Sequence, residues 1–397
     1  MTNPTIQASN LFKPIKVGNV ILKHRIAHLP TTRNRADPIN HIPTNLQKQY
    51  YSDRAKSGGL LVTEATIATL KLGFYPNVPG IYTEKQAIGW KEIVDEVHKQ
   101  GAKIAIQLWG LGRVASPALL KKHNLAFVAP SVVYEHEKSE KEAKESGNLL
   151  QALTLEEIKD LVENEYPNAV KLALDVAGFD FVEFHFANGY IASQFLNPSI
   201  NKRTDKYGGP IENRARFLFD VLDNCFKIAD PKQLAIRISP GNVFQEPIVS
   251  PNYKEDYEYI AKKLQERADA GKELAFVDVT DGAVDTETVS DRANISYILN
   301  NWKGIVLLGG SYTYDKDDNW KHIVHDTNAD ERTLVGFGRY FIANPDLPER
   351  IKQNQELNDY ARNTFYTPYN YGYNTYPFYG EKVDADPNAK VLGTPLV

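Results

Sequence analysis

Phe179-Asp180-Phe181-Val182-Glu183-Phe184 runs directly into His185-Phe186-Ala187-Asn188-Gly189-Tyr190. The first six residues make a short, largely apolar run of the kind that forms a buried strand. The second six set an imidazole, a carboxamide and a phenol at its exit. Polar groups gathered at the C-terminal end of a buried strand are what a parallel barrel presents to its ligands. The fold therefore turns on whether such a run recurs.

It recurs eight times, over Arg25–Leu29, Leu60–Thr63, Lys103–Leu108, Asp180–Phe184, Leu234–Ser239, Leu274–Val279, Ile305–Leu308 and Thr333–Phe337. Several are separated by amphipathic helical patterns. One starts at the cap Thr154, carries Ile158, Leu161, Val162, Val170 and Leu174, and ends at Gly178; others cover about Asn213–Ile228 and Asp256–Ala270. Eight strand-and-helix units predict an α/β chain folded as a single (β/α)8 TIM barrel. One domain over 1–397 is expected, with extra N-terminal and loop elements, an excursion after the third strand at about 110–153, and a C-terminal extension at about 365–397.

The open, doubly wound sheet shares this alternation, so its fingerprint has to be weighed. Gly110-Leu111-Gly112-Arg113-Val114-Ala115 reads G-x-G-x-x-A after a strand, with Glu135 at about the spacing of a ribose-binding acid. Pro117 and the polar run through Asn124 do not supply the long helix whose N-terminus would hold a pyrophosphate. The tract Glu135–Glu145 reads as a solvated helix or loop.

Composition narrows the function classes. The net charge of −4 is small and mixed along the chain, which argues against nucleic acid or an anionic membrane as partner. No uninterrupted apolar stretch is long enough to span a bilayer, no signal pattern opens the chain, and the single cysteine, Cys225, lies in a buried helical pattern. A cytoplasmic protein is expected, and no motif for a metal stands out.

At the strand exits the polar residues form a coherent set. Pro30-Thr31-Thr32-Arg33 follows the first run, Gln107 and Trp109 the third, and Arg237 lies in the fifth; Gly309-Gly310-Ser311 and Gly336-Phe337-Gly338-Arg339 follow the seventh and eighth. Glycines let backbone N–H groups approach a ligand and a guanidinium binds a dianion bidentately, so the last two exits read as a phosphate cradle. His185 and Asn188 offer donors to an oxygen that gains negative charge, and Tyr190 offers a proton. Taken singly, a histidine after a strand, an Asn-Gly turn or a core tryptophan has a purely structural reading. All of these coinciding at one end of one barrel does not.

The stretch His185–Tyr190, continued by Gln194-Phe-Leu-Asn-Pro198, Arg203-Thr-Asp-Lys-Tyr-Gly-Gly209 and Glu212-Asn-Arg-Ala-Arg-Phe217, closely resembles the old yellow enzyme family of FMN-dependent ene-reductases, fungal type. The resemblance extends from Leu11-Phe12-Lys13-Pro14-Ile15 to Gly336–Asp346, Phe365-Tyr366 and Tyr376-Pro377. It implies FMN as cofactor and NADPH, with NADH as the alternative, as reductant. Thr32 beside Pro30 would meet the flavin near its C4 carbonyl, Gln107 its pyrimidine edge and Arg237 its N1 and O2; Gly310, Ser311, Gly338 and Arg339 would hold the phosphate. His185 and Asn188 would clamp the substrate oxygen, Tyr190 would donate a proton, and Trp109, Tyr75 and Tyr366 would shape the pocket. The implied reaction reduces the activated C=C bond of an α,β-unsaturated carbonyl compound, with phenols as further ligands and a homodimer as an allowed assembly.

This chain departs from the family pattern at Ser311, where many relatives have Asn, at Gln245, where close relatives have Asn, and over the acidic loop Asp281–Asn294. Two rival readings are a flavin-bearing sensor of phenolic or steroid ligands, and a barrel glycoside hydrolase. The second needs two acids facing one cavity, and Glu183 lies on the face of His185 but deeper.

Overall fold

The computed structural model describes residues 5–246, 249–280, 295–310, 312, 316 and 319–397. Eight parallel strands close into a barrel: β1 (Ile26–His28), β2 (Leu60–Ile67), β3 (Lys103–Trp109), β4 (Phe181–His185), β5 (Leu234–Ile238), β6 (Phe276–Thr280), β7 (Val306–Gly309) and β8 (Thr333–Phe337). These are the eight runs expected from the sequence. β8 pairs with β1 to complete the ring, so the open doubly wound sheet is excluded. The G-x-G-x-x-A stretch opens into a 3-10 turn, Gly112–Val114, and a short helix, Pro117–Lys122, rather than a long phosphate-facing helix.

Strands buried on both faces are possible because the barrel has two cores. Small and aromatic side chains fill the inside, among them Ala27, Ala105, Phe181, Ala235 and Phe276, with Phe181 and Phe276 in edge-to-face contact at 5.8 Å. An N-terminal hairpin, Ile15–Val17 with Val20–Leu22, adds Ile15, Val17 and Leu22 to that core. Those aromatics stand at the starts of β4 and β6, so the hairpin plugs the N-terminal end and ligand access is left to the other. Outside, the strands bury Ile104, Ile106, Val182 and Phe184 against the helices.

The helices begin and end where their caps dictate. Thr154 and Glu157 form a capping box at the start of a helical stretch that runs, through π-type turns at Leu161–Glu165 and Leu172–Ala177, to Gly178 at φ 80°. The expected helix over Asn213–Ile228 is two, Ile211–Arg214 and Arg216–Cys225, and Tyr253–Asp269 is tied to the first by a buried ion pair, Arg214–Asp256 at 2.7 Å. Cys225 is buried here, and burial raises its thiol pKa, so it is a packing residue. The charged tract forms the helix Glu137–Ser146. Among the described residues, no helix is long and apolar enough to cross a membrane.

One strand differs from expectation. β2 continues past Thr63 to Ile67 because its register against β3 shifts between Val62 and Ala65. At the irregularity the Thr63 hydroxyl accepts the Gln107 N–H at 3.1 Å, replacing a backbone partner that the shifted ladder no longer offers. A hydroxyl stepping in for a carbonyl leaves no periodic trace in the sequence.

Candidate active site

Register decides which side chains meet. Gln107 on β3 is opposite Glu183 on β4, His185 is opposite Arg237 on β5, and Arg237 is opposite Asp278 on β6. Side chains at these positions converge inside the C-terminal end of the barrel, below a cavity of about 710 Å³, a volume typical of small-molecule sites. Every described residue singled out from the sequence lines it: Pro30, Thr32, Gln107, Arg237, Gly310, Gly338 and Arg339, with His185, Asn188, Tyr190, Tyr75, Trp109 and Tyr366. Ser311 and the loop 281–294 lie outside the described residues.

The turn after β4 is shaped by its backbone. Asn188 and Gly189 are both left-handed, at φ 58° and 74°, a conformation that asparagine tolerates and glycine adopts freely. At Gly189 a Cβ would also lie 2.7 Å from the Gln245 Cβ. The Asn188 N–H donates to Ser239 Oγ at 2.7 Å, and Gln194 Nε2 donates to the carbonyls of Gly189 and Leu111 at 2.8 Å. Thus pinned, the turn brings Asn188 to the cavity and starts the helix Ile191–Leu196 directly after Tyr190.

An aromatic group orients the polar atoms. The Trp109 ring lies parallel to His185, centroids 6.5 Å apart, and Tyr190 stands edge-on to both at 5.0 and 4.8 Å. Tyr75 packs edge-on against Trp109 at 5.4 Å, and Gln245 Nε2 reaches the Tyr190 hydroxyl at 3.5 Å. Tyr366, 69% exposed, forms the mouth rather than the floor.

Burial sets the protonation states. It raises the Tyr190 pKa well above the ordinary value of about 10, with Tyr75 adding to the effect, and it raises Tyr75 itself to about 12. Burial, followed by the positive charge of Arg237, lowers the His185 pKa well below its ordinary value. At neutral pH the site holds a protonated phenol beside a neutral imidazole.

Sequence reasoning missed some of the lining. Thr280 and Phe244 also face the cavity, and Asp278, just beneath it, holds Arg237 through an Nη1–Oδ2 contact of 2.6 Å. A lone acid inside the apolar run Ala275-Phe276-Val277-Asp278-Val279 was the available signal. The two-acid hydrolase arrangement finds no support here. Glu183 and Asp278 are fully buried and neither lines the cavity.

With this geometry in hand, the chain can be compared with known proteins. The sequence profile of the NADH:flavin oxidoreductase / NADH oxidase family matches residues 10–358. The chain belongs to this family. It is 46% identical over 396 residues to a probable NADPH dehydrogenase of Candida albicans, covering 98% of this chain and 94% of that protein. It is 38% identical to enoate reductase 1 of Kluyveromyces lactis, covering 94% and 95% of the two chains. The crystal structure of old yellow enzyme from Pichia sp. AKU4542 superimposes with a TM-score of 0.92 at 44% identity, covering 99% of this chain and 100% of that one.

This flavoprotein family uses FMN, and the cavity fits it. Buried polar atoms along its walls, including Thr31 Oγ1, Thr280 Oγ1 and Trp109 Nε1, have no hydrogen-bonding partner among the described residues, as expected of groups that serve a polar ligand. Its lining includes a guanidinium, Arg339, and the glycine backbones of Gly338 and Gly310, the latter at φ 115°. A ribityl phosphate needs that combination of charge and close backbone approach. The protein is an FMN-dependent oxidoreductase of the NADPH dehydrogenase and enoate reductase group.

Proposed function

We propose that this chain reduces the activated C=C bond of α,β-unsaturated aldehydes and ketones, with NADPH as reductant. The observation that carries the proposal is the placement of the protonated Tyr190 phenol beside His185 and Asn188, on the wall of the cavity that also holds Arg237 and Arg339. FMN, when bound, would supply the hydride chemistry that links NADPH to the β-carbon of the alkene.

The remaining work falls to side chains of this chain. Gly310, Gly338 and Arg339 would hold the phosphate; Thr32 beside Pro30, Gln107 and Arg237 would hold the flavin ring. His185 and Asn188 bind the carbonyl oxygen of the alkene. As hydride arrives at Cβ, negative charge grows on that oxygen, and two fixed donors in a water-poor site stabilise it. Tyr190 then gives its proton to Cα, completing the saturated product, and regains a proton from solvent. A neutral His185 suits the clamp, since it donates without adding a second charge next to Arg237. Trp109, Tyr75 and Tyr366 confine the substrate. Phenols, which present an oxygen to the same clamp, bind without reacting.

An anaerobic visible-absorbance titration tests this. The yellow protein should bleach with NADPH and regain its colour when cyclohexenone is added. Bleaching without recovery would defeat the alkene assignment.

A further inference from the structure

Directly beneath the cavity, four side chains from four neighbouring strands form a closed row. Gln107 Nε2 donates to Glu183 Oε1 at 2.7 Å, and Arg237 Nη1 donates to Asp278 Oδ2 at 2.6 Å. The other carboxyl oxygens, Glu183 Oε2 and Asp278 Oδ1, are buried and have no hydrogen-bond donor among the described residues. The two carboxyl groups lie close enough inside the barrel for each to shift the other's ionisation. Two buried, interacting carboxyls, each with one oxygen that no donor serves and only one guanidinium at hand, do not both ionise, and a proton held between them satisfies both.

We infer that Glu183 is a neutral carboxylic acid donating to the Asp278 carboxylate, and that this proton-sharing pair sets the charge and orientation that Arg237 and Gln107 present to FMN. The inference rests on the proposed placement of those two residues at the flavin ring. The hydrogen-bond chain runs one way: Gln107 N–H to Glu183, Glu183 O–H to Asp278, and Arg237 N–H to Asp278 from the other side. Assigning the proton to Glu183 follows from geometry, because Asp278 has the cation and Glu183 has only a carboxamide donor. Burial, and then the charge of Asp278, raise the Glu183 pKa well above its ordinary value, in agreement.

Two consequences follow for positioning. The Gln107 carboxamide is locked by giving its N–H away from the cavity, which aims its oxygen at the ligand as an acceptor. Arg237 is offset by a full carboxylate, so the positive charge reaching the flavin is smaller than that of a bare guanidinium. Glu183 and Asp278 touch no substrate; they are positioning residues that act through Gln107 and Arg237.

The test uses holoprotein and reads the reduction potential of bound FMN by equilibration with indicator dyes. Glu183→Gln replaces the neutral acid with a neutral amide able to make both hydrogen bonds, so the potential should stay near wild type. Asp278→Asn removes the offsetting charge, so binding of reduced FMN should strengthen about tenfold relative to oxidised FMN, an upward shift of about 30 mV for a two-electron couple. A shift in Glu183→Gln equal to that in Asp278→Asn, or no shift in Asp278→Asn, overturns the inference. Should Asp278→Asn fail to fold, infrared spectroscopy decides. The wild type should show a protonated carboxyl band at neutral pH that Glu183→Gln removes, and absence of that band overturns the pair. A wild-type chain that takes up no FMN defeats the cofactor placement instead, and the infrared result still reports on the pair.

Discussion

Two polar clusters are buried at the same end of this barrel, and only one of them reads as a site for chemistry. In the first, Arg33 and Arg35, just past β1, reach the C-terminal segment. Arg33 donates to the carbonyls of Phe365 and Gly372 at 3.1 and 2.7 Å, and Arg35 to those of Thr364, Phe365 and Tyr369 at 2.7–3.0 Å. Tyr50 stacks on Tyr373 at 4.3 Å, and the Arg35 guanidinium lies 4.7 Å from the Tyr373 ring. In the second, His185, Asn188 and Tyr190 face the cavity. Both clusters carry shifted ionisations: burial lowers Arg35 to about 9 and raises Glu64 to about 7, much as it shifts His185 and Tyr190. A perturbed pKa therefore does not separate function from structure here. What separates them is where the hydrogen-bonding capacity goes: Arg35 donates to the protein's own carbonyls and does not line the cavity, whereas the second cluster turns towards it.

The sharpest way to break this distinction is Tyr190→Phe. Only a hydroxyl that contacts Gln245 at 3.5 Å and the Tyr75 hydroxyl is removed, both on the cavity wall, so stability should hold. Loss of a positioned general acid typically lowers a rate about 10²–10⁴-fold. Recovery of the flavin colour by cyclohexenone in stopped flow should slow by that factor, while bleaching by NADPH should change less than about twofold. Equal slowing of the two half-reactions would remove Tyr190 from the role of proton donor.

The converse substitution is Arg35→Ala. It takes the guanidinium donor from the Tyr369 carbonyl, leaves those of Thr364 and Phe365 with one side-chain donor each, and removes the cation packed on Tyr373, at roughly 1–3 kcal/mol for a buried group left unpaired. The expected outcome is a loss of about 3–5 kcal/mol in denaturant-midpoint stability, with early proteolysis after Thr364. Unchanged stability would mean that the first cluster is not structural, and the contrast would fail.

The two clusters were unequally legible in the sequence, for a physical reason. His185, Asn188 and Tyr190 sit within six residues at the end of an apolar run, so strand periodicity and chemistry appear together. The Arg35 contacts span 329–334 positions along the chain and end on backbone carbonyls, which have no residue identity to read. Asp278 was overlooked similarly, since its partners Arg237 and Glu183 adjoin it only through strand register. The eight strands were readable because each carries its own apolar signal; the β2 irregularity at Val62/Ala65 was not, because it depends on the Thr63 hydroxyl.

The oxygen clamp allows a smaller and more discriminating test. Asn188→Ala mixes two effects, because alanine in the left-handed conformation at φ 58° costs about 1–2 kcal/mol by itself. Asn188→Gly keeps the backbone at ease and deletes only the carboxamide. Loss of one hydrogen bond to a charged oxygen is worth about 1.5–3 kcal/mol. Binding of a phenolate such as p-chlorophenol, followed by its visible absorbance change, should thus weaken roughly 10–100-fold in Asn188→Gly with stability little altered. Affinity equal to wild type would take Asn188 out of the clamp.

The smallest expected effect concerns pH, and the direction of each shift decides it. The folded-state pKa of His185 is lowered, so the imidazole is neutral at neutral pH and remains so as pH falls below its ordinary value of about 6.5. Below that value the unfolded chain takes up the proton first, so the imidazole's contribution to stability is present above about 6.5 and is lost as pH falls towards the folded value. The folded-state pKa of Tyr190 is raised, so its proton is retained at every pH below the ordinary phenol value of about 10. Neither clamp nor donor titrates between about pH 7 and 9. The alkene half-reaction, measured in stopped flow with enzyme already reduced, should therefore be flat across that range, within about twofold. A rate falling steadily from pH 7 to 9 would mean that the donor is a group more acidic than an ordinary phenol, and would move the proton-giving role away from this buried phenol.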